Sequence, residues 1–198
     1  MQNESWFRPL VWMDYRLAVL FTVVIPLILL IWAFVQKAEA IQRLLTIYWR
    51  VSSLLAIAVY LLIAAVPVGF ITGIMARILI PISLWFWVDL NEEIEDRQGG
   101  ALKITLNSWR WAITVYSLLG ALAQIPLLQC AIARSVTANP LCRAWMEPPL
   151  LFKEYFHPNN TPQLLGFIGI VGLLFYMVCL SYFVLIKLGK QGRTAIPQ

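Results

Sequence analysis

The chain has 198 residues, of which 61% are hydrophobic and only 13% charged, and its mean hydropathy is +0.76. Soluble domains carry about a quarter charged residues, so this composition excludes an ordinary soluble domain. The net charge is +5, but Lys and Arg stand singly at the edges of apolar runs, a placement typical of membrane topology signals and not of a nucleic-acid-binding surface.

Long uncharged apolar runs alternate with short charged segments along the chain. Crossing a bilayer takes roughly 20 apolar residues in a helix, and the longest runs reach this length. The sequence therefore predicts an all-α fold, a polytopic transmembrane helical bundle that forms one integral membrane domain over residues 1–198. Five spans are predicted, at about residues 17–36, 46–66, 71–90, 108–128 and 163–186, with an exported loop at about 129–162.

The first and third spans each contain a proline, Pro26 and Pro81. Neighbouring helices in a membrane bundle can satisfy the carbonyls that a proline leaves free, so both prolines predict kinks and not loops. The third span also contains Arg77, and its uncharged part is short. Either Arg77 extends back to the surface from which the helix enters, or spans two and three form a tight or re-entrant hairpin.

Acidic residues concentrate directly after the third span, in WVDLNEEIEDRQGG. If the helix continues past Trp87, then Asp89, Glu92, Glu93 and Asp96 share one face. Such a face could bind a hard divalent cation, which prefers oxygen ligands, or it could dock a partner. A solvated or ion-paired helix end needs fewer assumptions, because one helix cannot surround a cation and no second acidic run is present. We therefore predict no metal site.

The exported loop contains Cys130 and Cys142, and a disulfide between them would close a short loop. Disulfides persist in oxidising compartments; the alternative is two unrelated thiols. The third cysteine, Cys179, lies in the fifth span and is interpreted as an apolar filler. The single histidine, His157, could ligate a pigment or haem, but an ordinary residue of an interfacial loop is the preferred interpretation, so no cofactor is predicted.

The fifth span carries Gly166, Gly169 and Gly172. Small residues let another backbone approach closely, so these glycines predict a packing groove. Its occupant is either a neighbouring helix of this chain or another subunit.

The distribution of basic residues predicts the orientation. In a five-span topology nine Lys and Arg residues lie on the side of the C-terminus and six on the other side. The positive-inside rule then places the C-terminus in the cytoplasm and the N-terminus outside. The nine residues are Lys37, Arg43, Arg50, Arg97, Lys103, Arg110, Lys187, Lys190 and Arg193.

Four stretches together resemble a known family: WFRPLVWMDYRLAVLFT, AEAIQRLLTIYWRVSSLLA, ARILIPISLWFWVDLNEEIEDR and KLGKQGR. The family is domain of unknown function 3177, multi-pass membrane proteins from cyanobacteria and plastid-bearing eukaryotes. The resemblance covers most of the chain except the exported loop. It implies a photosynthetic host and a thylakoid or plasma membrane, with the exported loop in the lumen or periplasm, and it transfers no functional residue.

Three classes of function remain in competition. The leading hypothesis is a non-enzymatic accessory or assembly factor of a photosynthetic or other membrane complex, because no catalytic set is recognisable. A small oligomeric transporter or permease is the alternative, motivated by the proline kinks and Arg77. A membrane-embedded enzyme is the weakest. The expected partners are the lipid bilayer and either subunits of a membrane complex or further copies of this chain.

Overall fold

The computed structural model of the chain describes residues 7–97, 99–132, 139–188 and 193–195; Lys190, one of the residues that predict the orientation, lies outside them. The described residues form helices and no strand, which confirms the predicted all-α bundle. Five helices are long and apolar enough to cross a membrane: α1 (Phe7–Val35), α2 (Glu39–Ile63), α3 (Val68–Trp85), α5 (Ala101–Ile132) and α7 (Pro162–Ile186). Two more helices lie between them, α4 (Val88–Asp96) and α6 (Pro140–Phe156).

The helix bounds differ from the predicted spans in three places. The first helix begins at Phe7 and not near residue 17, because its amphipathic first turns continue the helix. The third helix ends at Trp85, and the acidic segment forms the separate helix α4. The predicted exported loop contains the 17-residue helix α6. Hydropathy alone does not find this helix, since its charged residues and three prolines lower the signal.

The helices run alternately up and down, so the bundle has two ends. The α4 end carries the C-termini of α1, α3 and α7 and the N-termini of α2 and α5. The α6 end carries the opposite helix termini. Helix α2 is central, because it packs against α3 most extensively and also against α1, α4, α6 and α7. Its residues Leu44, Leu45 and Tyr48 are completely buried.

Pro26 lies inside α1, directly after a π-helical turn over Leu20–Val24. Proline has no N–H, so it cannot bond to the carbonyl of Thr22 four residues back or to that of Phe21 in the π-helical register. Two other helices supply the missing donors. The hydroxyl of Tyr48 donates to Thr22 O at 2.8 Å, and Trp109 Nε1 donates to Phe21 O at 2.9 Å.

Helices α1 and α2 both end in a left-handed turn at a residue other than glycine. Lys37 has φ +51° and Ala65 has φ +53°. The hydrogen bonds Ala38 N to Ala33 O and Val66 N to Leu61 O, both six-residue closures, identify each as a Schellman motif. The sharp reversal after Ala65 holds α2 against α3 as an antiparallel pair, so spans two and three form a tight hairpin.

Candidate functional site

The most elaborate polar structure at the α4 end surrounds the break between α3 and α4. Arg110 is 3% exposed, and its Nη2 donates to Leu84 O at 2.7 Å and to Asn91 Oδ1 at 2.6 Å. Asn91 Nδ2 in turn donates to Trp85 O at 3.2 Å. Carbonyls at a helix C-terminus have no partner within the helix, so these side chains satisfy them and fix the start of α4. From the sequence alone, Arg110 is only one of the basic residues that predict the orientation, whereas the structure buries it.

Residues 193–195 complete the same junction from the C-terminal part of the chain. Arg193 Nε donates to Phe86 O at 3.1 Å, and Val88 N donates to Arg193 O at 3.2 Å. Ala195 N donates to Asp89 Oδ2 at 2.8 Å. Arg193, the last residue of the motif KLGKQGR, therefore stabilises the junction between α3 and α4. Hydropathy patterning could not reveal this role.

Helix α4 has one buried side and one acidic side. Leu90 and Ile94 are buried at 0% and 2% exposure. Glu92, Glu93 and Asp96 are exposed, and among the described residues they form no ion pair. We call these three residues the acidic surface. The fourth predicted member, Asp89, is instead half-buried and bonded to Ala195, because it lies in the first turn of α4 beside residues 193–195.

A surface cavity of about 260 Å³ opens beside the acidic surface, between the α1–α2 turn and the end of α4. Its charged lining residues are Lys37, Glu39, Glu93 and Arg97, and Ile41 and Ile94 form its apolar part. Glu39 is paired with Arg43 at 3.3 Å. In the part of the chain that the structure describes, no group of three or more His, Cys, Asp or Glu side chains could hold a metal ion.

A second polar cluster lies between the spanning helices α1, α3 and α5. Arg77 Nη2 donates to Asp14 Oδ2 at 2.5 Å and to the hydroxyl of Tyr116 at 3.4 Å. The Tyr116 hydroxyl lies 2.9 Å from both Asp14 O and Asp14 Oδ1. The guanidinium group also stacks over the Tyr116 ring, 5.1 Å from its centroid. The cluster ties three helices together by charge-assisted hydrogen bonds.

Arg77 extending to the surface is one of the two alternatives that the sequence leaves open, and the structure instead keeps this side chain inside the bundle. Arg77 lies near the middle of α3 and its side chain is only 7% exposed. Asp14 supplies the countercharge, although its position in the sequence precedes the predicted first span. In the sequence, Asp14 is recognisable only as an acidic residue within WMDYRLAV. This stretch continues the helical pattern upstream of the apolar run.

The α6 end is closed by a disulfide between Cys130 of α5 and Cys142 of α6. Both cysteines are fully buried and pack with Phe70, Leu127 and Met146. Helix α6 is further held by an ion pair from Arg8 to Glu147, with Nη2–Oε1 at 2.8 Å. The third cysteine, Cys179, is free and exposed on α7.

The three glycines of α7 face α2. A Cβ at Gly166 would collide with Ala64, and one at Gly169 would lie 3.1 Å from Leu61 N. At Gly172 it would lie 3.5 Å from Ile57, an ordinary contact. The groove is therefore occupied by a neighbouring helix of this chain.

His157 follows α6 and is held by its surroundings. Its Nε2 lies 2.9 Å from the hydroxyl of Tyr60, and its Nδ1 lies 3.5 Å from Asn160 Nδ2. The ring also packs against Phe152 at 5.9 Å between centroids. Both ring nitrogens thus face protein groups, an arrangement that suits a structural residue at the end of α6.

Comparison with known proteins identifies one family. The family model described as protein of unknown function (DUF3177) matches residues 8–196, which confirms the resemblance given above. No curated protein and no solved structure matches the chain.

Proposed function

We propose that this chain, which belongs to the family described as protein of unknown function (DUF3177), is a non-enzymatic accessory or assembly factor of a membrane complex. The observation that carries the proposal is the construction of α4. Its start is fixed by Arg110, Asn91 and Arg193, while its acidic surface stays free of ion pairs among the described residues. A rigid, charged helix at the end of a bundle suits docking to a basic partner surface, since complementary charge gives specificity and orientation.

The proposed setting is a photosynthetic membrane, with the α4 end and the C-terminus in the cytoplasm and the α6 end in the lumen or periplasm. Three features support this setting: the family resemblance, the excess of basic residues at the α4 end, and the disulfide at the α6 end. The basic partner surface would then belong to a complex subunit that faces the cytoplasm.

Affinity purification of the tagged protein from its native membrane, followed by mass spectrometry, tests the proposal. The triple variant Glu92→Gln, Glu93→Gln, Asp96→Asn is expected to lose co-purifying subunits that the unchanged protein retains. The matched control is Glu154→Gln, which removes one exposed carboxylate at the α6 end. If the unchanged protein migrates alone on native gels, or if the triple variant retains the same subunits, the proposal is wrong.

A small transporter is the second candidate, because the Asp14–Arg77 pair lies among the spanning helices, where ionisable residues often mark a path for ions or protons. Proteoliposomes with an enclosed pH-sensitive dye test this candidate for protons. If the protein transports protons, vesicles with the unchanged protein should show a proton flux. The double variant Asp14→Asn, Arg77→Gln should abolish this flux. Equal leakage from vesicles with the unchanged and the variant protein would exclude proton transport through this pair.

A further inference from the structure

Polar groups concentrate between α3 and α5, inside the membrane-spanning part of the bundle. Among the described residues, eight polar or charged side chains are buried, and six of them lie on these two helices. Three of the six donate to backbone carbonyls: Thr72 to Val68 O, Ser83 to Ile80 O and Arg110 to Leu84 O. The six are Thr72, Arg77, Ser83, Arg110, Ser117 and Gln124.

Arg77 and Ser117 leave polar atoms without a protein partner in the described part of the chain. Arg77 is 5% exposed and Ser117 is 1% exposed, and neither Arg77 Nη1 nor Ser117 Oγ has a hydrogen bond. Thr114, one turn before Ser117, donates to the carbonyl of Arg110 in its own helix, but Ser117 makes no such bond. A buried polar group costs free energy unless it forms a hydrogen bond. Both atoms therefore need a hydrogen-bonding partner.

The backbone of α5 places Ser117 and the space occupied by Arg77 Nη1 on the same side of the helix. A Cβ at Gly120 would collide with Arg77 Nη1, so the guanidinium group occupies the space that a side chain at position 120 would fill. Ser117 is three residues before Gly120 on the same helix face, and Cβ positions three apart are roughly 5–6 Å from each other. A molecule of the size of water can bridge two groups at such a separation.

The charge of the cluster decides the class of ligand. Asp14 already neutralises Arg77, so an anion at Nη1 would bring an uncompensated charge into the bundle interior, which is strongly unfavourable. A neutral molecule that accepts a bond from Nη1–H and exchanges one with a hydroxyl fits the site. Buried waters make about three hydrogen bonds to groups of this kind.

We propose that a water molecule binds between Arg77 Nη1 and Ser117 Oγ, at the α3–α5 interface beside Gly120. It accepts a hydrogen bond from Nη1 and donates one to Oγ. The Asp14 side chain is 22% exposed and that of Arg77 is 7% exposed, so the Asp14 side is the more open side of the cluster. Gly120 is then required by the site, because a larger residue would take the place of both the guanidinium group and the water.

Radiolytic footprinting of the protein in nanodiscs tests this site, since a bound water converted to hydroxyl radical oxidises the nearest reactive side chain. We expect this side chain to be Tyr116, because it precedes Ser117 in the chain and its ring centroid lies 5.1 Å from Arg77 Cζ. Ser117→Ala and Gly120→Ala are each expected to slow the oxidation of Tyr116 several-fold. The oxidation of Tyr155, which is 77% exposed, should not change and serves as the internal dose control.

Gly172→Ala is the matched control for a glycine substitution, because a Cβ there makes an ordinary contact, and it should leave the oxidation of Tyr116 unchanged. If Gly120→Ala fails to fold, the comparison of Ser117→Ala with the unchanged protein decides. Equal rates of Tyr116 oxidation in the unchanged protein and in the folded variants would overturn the proposal.

Discussion

Pro26 shows at the residue scale how a membrane bundle satisfies a broken helix. The proline withdraws one donor from α1, and the hydroxyl of Tyr48 and the indole of Trp109 reach the two free carbonyls from α2 and α5. An unsatisfied carbonyl in hydrocarbon costs several kcal/mol. The two carbonyls that α1 leaves free and its hydrogen bonds to two other helices therefore have one cause.

Tyr48→Phe should lower the free energy of unfolding by about 1–1.5 kcal/mol, the usual loss for one hydrogen bond. In a Pro26→Ala background the same substitution should cost clearly less, because the alanine restores a backbone N–H that can donate to the carbonyl of Thr22. Unfolding by denaturing detergent in mixed micelles, analysed as a double-mutant cycle, measures the difference. Tyr176→Phe, whose hydroxyl lies 3.5 Å from Val51 O, is the control. An identical cost of Tyr48→Phe in both backgrounds would contradict this account.

The Asp14–Arg77 pair leads to a second prediction at the residue scale. Removing one partner of a buried ion pair typically costs about 3–5 kcal/mol, because the other charge is left uncompensated. Asp14→Leu should therefore destabilise the bundle strongly, and the double variant Asp14→Leu, Arg77→Met should recover most of the loss. The exposed pair Arg8–Glu147 is the comparison, and Arg8→Ala should cost no more than about 1 kcal/mol. The same unfolding assay decides, and a double variant no more stable than Asp14→Leu would refute the prediction.

The scale of whole helices shows what the sequence could and could not predict. Hydropathy located the five spanning helices because a bilayer demands long apolar runs, and the glycines of α7 indicated a packing face. Helix α6 was missed, because it lies outside the long apolar runs. The break between α3 and α4 was also missed, since it depends on Arg110 and Arg193, which contact it from distant parts of the chain. Contacts between side chains far apart in sequence carry no local signal.

The Schellman turn that ends α2 supports a prediction at the scale of the element. Ala65 has φ +53°, a conformation that costs an L-residue roughly 1–2 kcal/mol and glycine almost nothing. Ala65→Gly should therefore stabilise the α2–α3 hairpin by about 1 kcal/mol. Ala56→Gly, in the exposed interior of α2, should have the opposite sign. Thermal unfolding in detergent measures both variants. A melting temperature of Ala65→Gly below that of the unchanged protein would contradict the prediction.

At the scale of the whole molecule, the two ends of the bundle differ in chemistry. The α4 end carries the acidic surface and the basic residues Lys37, Arg43 and Lys103, of which Lys103 donates to the carbonyls of Glu95 and Arg97 at the end of α4. The α6 end carries a buried disulfide and an amphipathic helix packed across α1 and α2. A disulfide suits an oxidising compartment, so the chemistry of the α6 end agrees with the orientation that we propose.

This asymmetry leads to a prediction about topology. In a background with Cys179→Ala, a cysteine introduced at Glu154 of α6 should react with a membrane-impermeant maleimide from the lumenal or periplasmic side. A cysteine at Glu92 of α4 should react only from the cytoplasmic side, because basic residues near span ends are retained there. Cys130 and Cys142 should stay unlabelled until the protein is reduced. Sealed vesicles of known orientation provide the measurement. Labelling of both introduced cysteines from one side, or in the reversed order, would contradict the orientation and with it the side from which a partner reaches the acidic surface.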